Sequence, residues 1–83
     1  MLYQVNYTPK IGRNILRAFK QIHTRGVLHG DVRLENILVR PDQSIAVIDF
    51  EMSEVMASHE ALLSEMRGVK GLLAWCKAKS SKS

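Results

Sequence analysis

His29-Gly30-Asp31-Val32-Arg33-Leu34-Glu35-Asn36, followed by Val47-Ile48-Asp49-Phe50-Glu51, decides how this chain reads. The first stretch offers a carboxylate at Asp31, a cation at Arg33 and a side-chain amide at Asn36. The second sets another carboxylate, Asp49, at the end of an apolar run. These groups suit phosphoryl transfer. That chemistry needs a carboxylate to orient the attacking hydroxyl, oxygen ligands from separate segments to hold magnesium, and positive charge near the phosphate. Taken singly, each group has an ordinary structural reading. Asp31 is then a turn or capping residue after glycine, Asn36 a loop residue bonding its own backbone, and Asp49 the end of a strand.

The sequence between and around these stretches predicts how they meet. Ile37-Leu38-Val39 and Ile45-Ala46-Val47-Ile48 are β-rich runs separated by Arg40-Pro41-Asp42-Gln43-Ser44, a proline-aspartate turn, so a hairpin is expected. Such a hairpin brings Asn36 and Asp49 together, at the entry of one strand and the exit of the other. Upstream, Thr8 caps a helix that Pro9 begins. Ile11, Ile15, Ala18, Phe19 and Ile22 recur at three and four, the period of a half-buried helix, and Gly26 ends it. Downstream, residues 51–57 read as an irregular connection and Ser58 as the cap of a second helix running to about Lys77. Its inner stripe is Leu62, Met66, Val69, Leu73 and Cys76, with Leu72 and Trp75 widening it. Gly68 and Gly71 weaken that helix by about 1 kcal/mol each relative to alanine. Residues 1–7 read as a short strand or the end of a longer connection, and residues 78–83 as a frayed basic tail.

The two motifs resemble those of the protein-kinase superfamily, whose catalytic loop reads H-R-D-L-x-x-x-N and whose metal-binding segment reads D-F-G. Asp31 and Asn36 stand at the family's interval, and Asp49 follows Asn36 by thirteen residues. The run IHTRGVLHGDVRLENILV looks most like divergent kinase-like proteins of fungi. The resemblance covers about residues 10–76 and implies an α+β fold, the central part of a kinase C-terminal lobe, in one partial domain over residues 1–83. It further implies roles. Asp31 is the catalytic carboxylate that orients the substrate hydroxyl, and Arg33, where the family commonly has lysine, meets the transferring phosphate. Asn36 and Asp49 hold magnesium, and Leu38 lies under the adenine of ATP. His29 is structural, holding the loop against the backbone near Asp49. Phe50 is a core residue, and His23 and His59 are surface or cap residues.

Two departures and two omissions shape the functional expectation. Gly30 stands where many protein kinases have arginine, which argues against activation by loop phosphorylation. Glu51 stands where D-F-G has glycine, so that glycine's backbone freedom is lost. None of the five glycines forms a GxGxxG loop, and with only 28 residues ahead of His29 no VAIK-like lysine precedes the catalytic loop. The expectation is therefore a kinase-like fragment. Its intact family transfers the ATP γ-phosphoryl group to a protein hydroxyl with magnesium, while the isolated chain is inactive. Two alternatives remain beside it: a fragment of a small-molecule phosphotransferase of the choline or aminoglycoside kind, and a non-catalytic, pseudokinase-like interaction module.

Composition narrows the partners. Apolar residues at 46% and charged residues at 24% are ordinary globular values. Of the net charge of +4, much lies in Arg67, Lys70, Lys77, Lys79 and Lys82, read as a solvated helix end and tail. No basic face interleaved with aromatics appears, so nucleic acid is not expected. No apolar run approaches the ~20 residues of a membrane span. A single cysteine, Cys76, permits no internal disulfide and fits a cytoplasmic or nuclear location. An incomplete lobe leaves helical stripes uncovered, which predicts self-association through exposed apolar faces.

Overall fold

The computed structural model describes residues 7–80. They form an α+β unit in the order helix α1 (Pro9–Thr24), hairpin strands β1 (Ile37–Val39) and β2 (Ile45–Val47), and helix α2 (His59–Ser80), with one 3-10 turn over Leu34–Asn36. The expectation for residues 1–7 falls, apart from Tyr7, outside the described part, as do the last three residues of the tail.

α1 begins and ends as its sequence dictates. Thr8 is extended, and its Oγ1 accepts a hydrogen bond from the Ile11 NH at 3.2 Å, with Pro9 in the first turn where no NH is needed. At the other end Gly26 turns to φ +75°. Its NH donates to the His23 carbonyl while the Val27 NH donates to that of Ile22, the paired bonds of a Schellman ending. Ile11, Ile15 and Phe19 are buried on one side and meet Ile37 from β1 and Val69, Leu73 and Cys76 from α2. That cluster is the core.

The hairpin pairs Ile37 with Val47, Leu38 with Ala46 and Val39 with Ile45, antiparallel. Its turn carries Gln43 at φ +69°, and the Asp42 carboxylate accepts the Ser44 NH at 2.9 Å. α1 holds the turn from outside, because Asn14 Nδ2 donates to the Gln43 carbonyl at 2.9 Å. The 51–57 connection is tied back as well. Leu28 and Glu54 exchange backbone hydrogen bonds of 2.8 and 2.9 Å, and the Ala57 NH reaches the Gly26 carbonyl at 2.9 Å.

Ser58 caps α2 by accepting the Ala61 NH at 3.1 Å. The helix passes through Gly68 and Gly71 unbroken and ends at Ser80, three residues beyond the expected Lys77. Both glycines are exposed, and nothing lies within 4 Å of where their β-carbons would be. Val69, Leu73 and Cys76 on the inner side hold the helix by burial, which outweighs the glycine propensity cost. α1 and α2 run antiparallel: His23 near the end of α1 meets Glu65 near the start of α2, while Leu16 and Leu73 line a common groove further along. One core expectation fails. Phe50 is 41% exposed. It flanks an open groove of about 850 Å³ lined by Ile22, Val27, Ile45 and Val47, and no further element covers it among the described residues.

Candidate active site

The 29–36 stretch is held from three sides. His29 is fully buried, and its ring bridges the two motifs. The Asp31 NH donates to His29 Nδ1 at 3.2 Å, which leaves the ring proton on Nε2, and Nε2 donates to the Ile48 carbonyl at 2.8 Å. The residue before Asp49 is thus tied to the residue two before Asp31, as expected for His29. Phe50 closes over the same imidazole edge to face, with centroids 4.8 Å apart, and Phe19 approaches it from the core at 6.1 Å.

Asn36 is the second tie. Its side chain is buried, and Nδ2 donates both to the Asp31 carbonyl at 2.9 Å and to Asp31 Oδ2 at 3.2 Å. Arg33 Nε lies 3.1 Å from the other carboxylate oxygen and leans towards Glu35 at 3.9 Å. Both oxygens of Asp31 are therefore engaged and the carboxylate is oriented. The backbone does the rest. The Ile48 NH donates to the Asn36 carbonyl at 2.9 Å, extending the hairpin ladder by one bond and setting Asp49 just beyond Asn36. Asp49 adopts φ +63°, a sparsely populated conformation for a residue with a side chain, of a kind that concentrates at functional sites. Of the expected site residues, then, Asp31, Arg33 and Asn36 are in direct contact and Asp49 is joined to Asn36 through the ladder. Leu38 stands apart from them, half-buried and paired with Ala46 on β2.

Magnesium asks for oxygen ligands, typically one or two carboxylates completed by water and phosphate. Among the described residues no group of three or more His, Cys, Asp or Glu is placed as a metal cage. The donor chemistry of Asn36 and Asp49 fits the sparser set. The Asn36 amide nitrogen is used on Asp31, so its oxygen is the atom left for a cation, and the exposed Asp49 carboxylate forms no ion pair among the described residues.

The third tie was not anticipated. Glu65, on α2, accepts the His29 NH at 3.0 Å and the His23 ring at 2.8 Å on one oxygen, and the Gly30 NH at 2.8 Å on the other. Its side chain is 6% exposed and that of His23 11%, so His23 is a half-buried partner of Glu65 and not the surface residue expected. Burial pushes the Glu65 carboxyl up. Hydrogen bonds from Gly30, His23 and His29, with the attraction of His23, outweigh that and hold it below its ordinary value. A sequence signal existed: Glu65 falls on the apolar stripe, three after Leu62 and four before Val69, where a lone carboxylate needs donors. Gly30 itself has φ +88°, and a β-carbon there would collide with the Met52 carbonyl. The place where an arginine would begin is taken by backbone.

A family model described as protein kinase domain matches residues 1–75. The chain belongs to the protein kinase domain family. This kinase-domain chain is 51% identical over 35 residues to a probable SapB synthase of Streptomyces coelicolor, covering 42% of the chain and 4% of that protein. It is 36% identical over 51 residues to serine/threonine-protein kinase PDK1 of Cryptococcus neoformans (61% and 4%). It is 31% identical over 62 residues to serine/threonine-protein kinase cds1 of Schizosaccharomyces pombe (75% and 14%). The kinase-domain chain thus spans 4–14% of the length of these relatives. No solved structure matches it.

Proposed function

We propose that this chain is the catalytic-loop part of a kinase-like phosphotransferase that moves the γ-phosphoryl group of ATP to a hydroxyl. The observation that carries the reading is the Asn36 amide holding Asp31 by both its carbonyl and its carboxylate. Asp31 then orients the acceptor hydroxyl and takes its proton. Asn36 and Asp49 hold magnesium, which when bound neutralises charge on the transferring phosphate. Arg33 exchanges its contact with Asp31 for the phosphate, where its planar fork suits two oxygens. The isolated chain does not turn over ATP at a useful rate, because catalysis of this kind is positioning and electrostatics and the described residues include no clamp for the nucleotide's other phosphates.

The acceptor is a protein hydroxyl in the first reading, supported by the two relatives named as serine/threonine-protein kinases. A small-molecule hydroxyl is the second reading, and a specific observation favours it. α2 begins ten residues after Asp49, with no A-P-E sequence between, so there is little chain in which to build a peptide-holding activation segment. The open groove beside Phe50 supports association through exposed apolar surface, and the single cysteine, Cys76, supports a cytoplasmic or nuclear location.

Magnesium titration watched by amide NMR tests the site without requiring turnover. Residues around Asn36 and Asp49 are expected to shift together, and Asp49→Asn to abolish the response. Shifts confined to Glu51, Glu54 and other surface carboxylates would refute the metal assignment. Turnover of γ-labelled ATP by the 83-residue chain, lost in Asp31→Ala, would refute its inactivity. No turnover in a longer form containing the chain, with these residues intact, would leave the non-catalytic module.

A further inference from the structure

The charges of this chain are segregated. All eight acidic residues lie between Asp31 and Glu65, while residues 9–30 and 66–80 carry nine cations and no acid. The cations are not simply scattered over solvent. Lys10, Arg13, Arg17 and Lys20 recur at three and four along the exposed side of α1, and none forms an ion pair among the described residues. Where α2 lies antiparallel beside it, Arg13 and Lys77 flank a groove of about 450 Å³ whose apolar lining includes Leu16 and Leu73.

Such a groove fits a segment with apolar side chains flanked by carboxylates, and the chain displays one. In the 51–57 connection Met52, Val55 and Met56 are 65%, 74% and 92% exposed, interleaved with the exposed Glu51 and Glu54. This loop cannot fold back into its own groove. It is bridged to Leu28 after the end of α1 and leads into the start of α2, whereas the groove lies at the start of α1 and the far part of α2, in a molecule 40 Å long.

We propose that the groove docks the 51–56 loop of a second copy of this chain, an apolar side chain entering between Leu16 and Leu73 while Glu51 and Glu54 meet Arg13 and Lys77. The contact joins the loop of one copy to the groove of another, so repetition closes a ring where the rotation allows it and otherwise extends an open chain. A patch of this size is below that of a standard stable interface, which makes the association weak. Its exposed ion pairs make it sensitive to salt.

Sedimentation at rising protein concentration tests this. At low salt the weight-average mass is expected to climb above the 9.4 kDa monomer, and to return to it in about 1 M salt, where charges are screened within about 3 Å. A groove variant, Arg13→Glu with Lys77→Glu, and a loop variant, Glu51→Lys with Glu54→Lys, are each expected to stay monomeric, with helical circular dichroism checking that both are folded. Mixing them is the decisive arm. The groove variant keeps an intact loop and the loop variant an intact groove, so the mixture is expected to form dimers that stop there. A wild type that stays monomeric would overturn the proposal, as would association that survives both variants and high salt through apolar contact alone. A monomeric wild type that binds duplex DNA through Arg13 and Lys77 would also overturn it and assign the face to a polyanion.

Discussion

Removing the Glu65 carboxylate is expected to be the most damaging single change to the 29–36 loop that leaves every loop residue in place. Glu65→Ala strands three donors at once: the NH groups of His29 and Gly30 and the His23 ring. A buried donor left unmet costs about 1–3 kcal/mol. Gly30 is exposed, so water replaces part of its bond, and the expected total is about 3 kcal/mol. Against roughly 4–12 kcal/mol for a chain of this length, that is a quarter or more of all the stability available. Glu65→Gln keeps a carbonyl acceptor and loses the charge, for about 1–2 kcal/mol. Acid separates the two effects. Because the folded carboxyl titrates below its ordinary value of 4.5, its stabilisation is fully present above that value and is lost as pH falls through the lower folded value. Wild type should therefore lose its advantage over Glu65→Gln below about pH 4.5. Urea unfolding by circular dichroism from pH 7 to pH 3, with amide exchange at His29 and Gly30, measures both. A Glu65→Ala chain within about 0.5 kcal/mol of wild type, or a pH profile unchanged in Glu65→Gln, would refute the anchoring argument.

Two glycine predictions point in opposite directions. Gly30→Ala combines a left-handed backbone with a collision against the Met52 carbonyl, so a loss of about 2 kcal/mol and a melting temperature lower by about 10 °C are expected. Gly68→Ala and Gly71→Ala meet open space in a helix interior, and each is expected to raise stability by about 0.5–1 kcal/mol in thermal melts. A loss there would mean that another molecule approaches that face of α2.

The elements that local chemistry controls could be read before the structure was in hand. Thr8, Pro9 and Gly26 delimit α1, and the hairpin around Pro41 and Asp42 joins Asn36 to Ile48 and so to Asp49. The rest depended on distant partners. Glu65 carries a role only because α2 packs antiparallel on α1, which puts it within reach of His23, His29 and Gly30, residues 35 to 42 positions earlier. His23 was misjudged for the same reason, since its partner lies on another helix. Phe50 is apolar and follows a strand, yet the core is filled by Phe19, Ile37 and Val69, and it covers His29 from outside. Gly68 and Gly71 weaken α2 by local propensity, and the burial of Val69 and Leu73 outweighs that cost.

The Met52 carbonyl lodged against Gly30 also constrains how this chain can change over time. A side chain at position 30 requires the 51–57 connection to move away. That connection is tied to Leu28 and Gly26 by three backbone hydrogen bonds, so moving it undoes the path from Asp49 into α2. An arginine fits at position 30 only together with a re-routed connection, and a connection of this course calls for a glycine there. The two features form one heritable unit.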